Sequence, residues 1–140
     1  LAGEPDDLPW MQDWLSMIRE ATKEGRSFAR VRAVSLPMSD YNRWSHVVAQ
    51  CNNAAGEDIR YIKRDLAKAA GLPDHDYWLF DSRKLVVMQF DDDNRFLGGE
   101  IVEDPSVIVQ HNYWRDAAWH RAVRRDEFAT EEHLRRIERP

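Results

Sequence analysis

Apolar residues along this chain recur at two spacings, and the two take turns. Trp10, Trp14, Met17, Ile18 and Ala21 fall three or four apart, which predicts an amphipathic helix over residues 9–24. Asp6 and Asp7 precede it, where carboxylates favour the positive end of the helix dipole, and Gly25 supplies a stop. Residues 28–35 then alternate. Phe28, Arg30, Arg32 and Val34 share one side, and Ala29, Val31, Ala33 and Ser35 the other. Pro37 ends that strand. Ser39 is placed to cap a second helix carrying Tyr41, Trp44, Val47, Val48 and Cys51 and closing near Asn52 or Gly56.

A short strand over 58–63 follows. A helix capped by Asp65 runs to Ala70, where Gly71 and Pro73 stop it. Three strands come next, over 77–80, 85–90 and 96–102. They are joined by turns at Asp81–Arg83 and Asp91–Arg95, which reads as an antiparallel meander. Asp104 and Pro105 open a last long helix with a stripe through Val107, Ile108, His111, Trp114, Ala118 and Trp119. The order α-β-α-β-α-β-β-β-α predicts an α/β (α+β) fold. In it a mixed, largely antiparallel sheet is packed by the N- and C-terminal helices. Residues 1–123 read as one domain and 124–140 as a charged tail or short helix, with a helical stretch near 131–137.

The 140 residues suffice for one domain with a true core. A net charge of -5 argues against the domain gripping nucleic acid by itself, since such proteins show a basic footprint. Cys51 is the single cysteine, so neither an internal disulfide nor a cysteine-rich zinc site can form, and a reducing, cytoplasmic setting fits. No apolar run reaches the roughly 20 residues of a membrane span, and the polar, acidic start does not read as a signal peptide. Because residue 1 is not Met, part of the native N-terminus is expected to lie upstream. Six tryptophans are a heavy load, which means a thick core, a stacking surface or an interface, and the core is where most are expected.

Chemistry is sparse. Asp74-His75-Asp76 is the densest polar cluster, and with Asp81 and His111 it makes the best set for acid–base work. Adjacent loop residues converge poorly on a metal, so the aspartates are expected first as partners for backbone N–H groups and only second as a functional site. Asp91-Asp92-Asp93-Asn94 has the composition of a calcium loop but neither its central glycine nor its distal glutamate. Gly98-Gly99 lies in a strand pattern and is no phosphate loop. His75, Tyr77 and Asp81 lack the lysine and the spacing of a phospholipase D-like half-site. No metal or cofactor is expected.

Arg30, Arg32, Arg60, Lys63 and Arg64 fall in or beside strands. As neighbours they form a basic strip suited to a carboxylate, a phosphate or an acidic partner. The alternative is internal pairing with Asp40, Asp58 and Asp81. Tyr41, Arg43 and Trp44 on the second helix, and Trp78 after the Asp-His-Asp loop, complete a set of candidate contact residues.

Five segments carry a resemblance: Leu1-Ala-Gly-Glu-Pro, Val34-Ser-Leu-Pro-Met-Ser-Asp-Tyr, Ala55-Gly-Glu-Asp-Ile-Arg-Tyr, Leu72-Pro-Asp-His-Asp-Tyr-Trp-Leu-Phe-Asp-Ser-Arg and Trp114-Arg-Asp-Ala-Ala-Trp. They look like an actinobacterial family of unknown function whose members are often encoded near helix-turn-helix regulators. The similarity runs to about Val123. It implies a regulatory setting by association only. Two functions follow as expectations. The first is a non-catalytic domain that binds a small ligand or a protein such as a helix-turn-helix regulator. The second is a small enzyme of specialised metabolism using Asp/His acid–base chemistry. Oligomeric state is not legible.

Overall fold

The computed structural model describes residues 11–128. In chain order these form α1 (Gln12–Lys23), β1 (Phe28–Val34), α2 (Asp40–Ala55), β2 (Glu57–Lys63), α3 (Arg64–Ala69), β3 (Tyr77–Phe80), β4 (Lys84–Phe90), β5 (Phe96–Val102), α4 (Pro105–Arg121) and β6 (Val123–Arg124). The α+β class stands. The chain divides into two compact units. One comprises, among the described residues, 11–65 and 122–128; the other is Leu66–Arg121.

In the first unit β1 and β2 run parallel, joined by α2 as crossover, and β6 adds antiparallel to the far edge of β2. Parallel strands require such a crossover, and this one is the long amphipathic segment read from the sequence. Ser39 caps it as expected. Its side chain accepts from the Asn42 N–H at 3.1 Å, an interaction worth about 1 kcal/mol. α2 has apolar residues on two sides. Val48 and Ala55 meet Met11, Leu15 and Ile18 of the α1 region. Ala49 meets Val34, Ile59 and Tyr61 of the sheet and Phe128 beyond it. Each fully buried aliphatic side chain here, such as Ile18 or Ile59, contributes on the order of 1.5–3 kcal/mol.

The second unit holds the meander β3-β4-β5, antiparallel throughout, with α4 against β4. Asp81 and Ser82 both take positive φ, 53° and 60°, and the Arg83 N–H bonds the Phe80 carbonyl at 3.0 Å. These left-handed residues close a three-residue hairpin loop, Asp81–Arg83, between the paired Phe80 and Lys84. Asp104 caps α4, accepting from the Ser106 N–H at 2.9 Å and from its hydroxyl at 2.8 Å. These bonds hold the Asp104 carboxyl below its usual range.

Some expectations shift. The strands form two sheets rather than one, because alternation identifies a strand but not the neighbour it pairs with. Asp65 sits inside the first turn of α3 rather than before it, and β2 begins at Glu57, one residue early. The short strand β6 gave too brief a pattern to read. The first residues of the predicted N-terminal helix and the helical stretch near 131–137 lie outside the described residues.

Candidate functional site

Alternation on β1 puts Phe28, Arg30, Arg32 and Val34 on the face toward the helices. Both arginines on that face find internal partners. Arg30 Nη2 lies 2.9 Å from Glu57 Oε2, and the Glu57 side chain is wholly buried. Glu57 Oε1 accepts from Asn52 Nδ2 at 2.8 Å and, at 3.4 Å, from the Trp14 indole. Burial pulls the Arg30 pKa down, and the Glu57 carboxylate opposes that pull. Arg32 donates to the Ser45 hydroxyl. Beside it Tyr61 stacks on Phe128 with centroids 5.3 Å apart, and burial raises its pKa. His46 is buried too. Its Nε2 donates to the Arg125 carbonyl at 3.0 Å, and Arg125 Nε returns a bond to the His46 carbonyl at 2.8 Å.

Arg60 and Arg64 of the strip, and Arg43 on α2, also make internal bonds. Arg60 takes both oxygens of Asp58, at 3.2 and 3.1 Å. Arg43 bonds Asp40 and the Met38 carbonyl. Arg64 donates to the Ala33 carbonyl at 2.8 Å. Internal pairing with Asp40 and Asp58 is therefore present, while Arg30 turns to Glu57. Tyr41 remains 71% exposed, 6.2 Å from the Trp44 ring.

In the second unit two of the acid–base candidates meet. His75 Nε2 and His111 Nε2 are 2.8 Å apart. The ring centroids are 5.1 Å apart, which is that separation plus about one ring radius at each end, so the rings meet head-on. Two imidazoles sharing a metal would instead converge on a point off the line between them. The contact is an N–H···N hydrogen bond, and its direction follows. His111 Nδ1 lies 2.8 Å from the Val107 carbonyl, which can only accept, so Nδ1 carries the hydrogen. In that tautomer His111 accepts at Nε2 and His75 donates from its own Nε2. Tyr77 crosses the His111 ring edge-on at 4.7 Å, and Trp114 does so at 4.8 Å. Burial of His75, and then the neighbouring His111, lower the His75 pKa, while Asp76 and Asp74 oppose the fall. Burial raises that of Tyr77.

Among the described residues no carboxylate joins the pair by a hydrogen bond. Asp81 is committed to the β3–β4 turn by its positive φ. Asp91 spends its side chain on the N–H groups of Asp93 and Arg95, at 2.9 and 2.8 Å, which accounts for the calcium-loop composition. Among the described residues no group of three metal-binding side chains converges.

The register of the meander defines its two faces. Tyr77, Leu79, Leu85, Val87 and Val102 point toward α4, and Leu85 is fully buried. Trp78, Phe80, Val86, Met88 and Ile101 point the opposite way. Phe90 and Phe96 continue that face beyond an irregularity at Gln89/Phe90. It is largely apolar, with Lys84 opposite Phe80; Phe80 (50%), Ile101 (57%) and Phe96 (62%) are exposed, and Trp78, Val86 and Met88 are half-buried. Trp78 and Phe80 stack at 6.3 Å. Gly99 lies in its middle, where an added Cβ would come 2.7 Å from a Val86 methyl.

Of the sequence candidates, only Trp78 lies on this face; Phe80, Val86, Met88 and Ile101 were missed. The signal was present in the run Leu85-Val86-Val87-Met88, since a strand apolar on both faces predicts a cover on both. Glu57 was missed because a glutamate in a strand ordinarily reads as solvated.

Fold and surface together define an α+β domain with one helix-covered sheet face and one open apolar face. The chain belongs to the family DUF6879, a domain of unknown function, whose model matches residues 1–130. Comparison with curated proteins and with solved structures gives no match. No helix among the described residues is long and apolar enough to cross a membrane.

Proposed function

We propose that this is a non-catalytic protein-binding domain of the cytoplasm with a regulatory role, and that the outer face of β3-β4-β5 is its docking surface. The observation that carries this reading is the row Trp78, Phe80, Val86, Met88 and Ile101 on the sheet face away from α4. A contiguous apolar patch of this kind is costly to leave in water and marks an interaction site. Its aromatic content is that of interface anchors. The family resemblance in the sequence makes a helix-turn-helix regulator the partner to test. Arg30, Arg32 and Arg60, spent on internal bonds, contribute less than their sequence suggests.

A second reading, a small enzyme, rests on the His75–His111 bond, which joins two side chains of acid–base type. It ranks lower because no nucleophile or carboxylate is bonded to the pair among the described residues.

The test takes partners recovered with the full-length protein from its host and remeasures binding with each purified. Ile101→Asp and Trp78→Ala are expected to weaken binding to a regulator at least tenfold while the melting temperature holds. Undiminished binding by both variants, or no regulator among the partners, overturns the reading.

A further inference from the structure

β1 and β2 are parallel and leave the sheet side by side. Val34 pairs with Lys63, so the next residues, Ser35 and Arg64, emerge together at the carboxyl edge. In open sheets with parallel strands that edge is where ligands bind. A cleft of about 170 Å³ lies there, lined by Ser35, Leu36, Lys63, Arg64 and Asp65. At about 30 Å³ per water, it has room for a small oxyanion and a few waters.

Arg64 is the distinctive group. One guanidinium N–H is spent on the Ala33 carbonyl at 2.8 Å, which ties the head group to the end of β1. Among the described residues it has no carboxylate partner, unlike Arg30, Arg43, Arg60, Arg115 and Arg125. Its other donors remain available for a fork of hydrogen bonds to an oxyanion. Lys63 also lines the cleft, and Ser35 adds an exposed hydroxyl. Asp65 is the one opposing charge in the lining.

We propose that this cleft is a binding site for a small oxyanion, a phosphate or carboxylate group, held chiefly by Arg64 with Ser35. It is independent of the docking face, being built entirely from the first unit. The anionic group is the common chemistry, whichever molecule carries it.

The experiment is an amide NMR titration of the full chain with inorganic phosphate at fixed ionic strength, with a parallel acetate series and a chloride control. Saturable shifts confined to Ser35, Leu36 and Lys63–Asp65 are expected with phosphate and absent with chloride. Acetate saturating the same amides extends the ligand class to carboxylates, and acetate without effect restricts it to phosphates. Both results support the site. Arg64→Ala is expected to weaken binding at least tenfold. Since that change also releases the Ala33 carbonyl, Ser35→Asp serves as a second variant that keeps Arg64 in place and repels the anion. Shifts that do not saturate, that spread over surface cations, or that survive both substitutions overturn the proposal.

Discussion

Arg30 and Trp78 both sit on strands, and both are candidate contact residues by sequence, yet the two units treat them in opposite ways. In the first unit, Arg30 faces the helices, and a buried glutamate, an asparagine and an indole form one network around its charge. In the second, Trp78 faces away from the covering helix and stacks on Phe80 in an open apolar row. One region turns charge inward and the other turns apolar surface outward. Residue type therefore misleads about role. The polar set of the first unit is structural, and the apolar set of the second is the better candidate for contact.

Glu57→Ala gives the largest expected effect. It leaves Arg30 partly buried without its counter-charge and should cost about 3–5 kcal/mol in urea unfolding. Replacing Arg30 and Glu57 together by apolar residues of similar volume should recover most of that loss. An isolated Glu57→Ala that cost little would break the contrast, because the network would then not be structural.

The two faces of the meander sharpen it further. Leu85→Ala, on the face under α4, should cost about 2–5 kcal/mol. Ile101→Ala, on the open face at 57% exposure, should stay within about 1 kcal/mol. Equal losses would mean that the outer face is core.

The histidine pair should give a pH signature. The His75 pKa lies below its ordinary value in the folded chain, so the unfolded chain binds the proton more readily. Stability from this group is complete above pH about 6.5 and falls as pH drops through the lowered folded value. His75→Asn should flatten that part of a melting-temperature profile. A His75 titration followed by NMR with its midpoint above 6.5 would contradict the assignment. The smallest effect belongs to Arg60→Ala. It removes a surface pair with Asp58 and should change stability by no more than about 1 kcal/mol, with salt screening even that.

Much of this architecture is legible from local pattern. β3 and β5 follow their predicted bounds, and Ser39, Gly25, Gly71 and Asp104 act where their chemistry places them. Those features depend on neighbours in sequence. The division into two sheets depends on strand pairing, which a period-two pattern leaves open. The same holds at the sites. His75 and His111 are recognisable as acid–base types, but 36 residues separate them, and their bond is set by how α4 meets the loop before β3. Arg30 is visible as a cation in a strand, and its partner Glu57 is identified only once β1 and β2 are known to be parallel.

The central claim is that Trp78, Phe80, Val86, Met88 and Ile101 form a surface built to be covered by a partner. Amide hydrogen exchange of β3, β4 and β5, with and without a purified helix-turn-helix regulator recovered from the host, tests it most directly. The account predicts slowed exchange across these strands on binding, lost in Ile101→Asp. Protection that appears elsewhere while the meander is unchanged would contradict it.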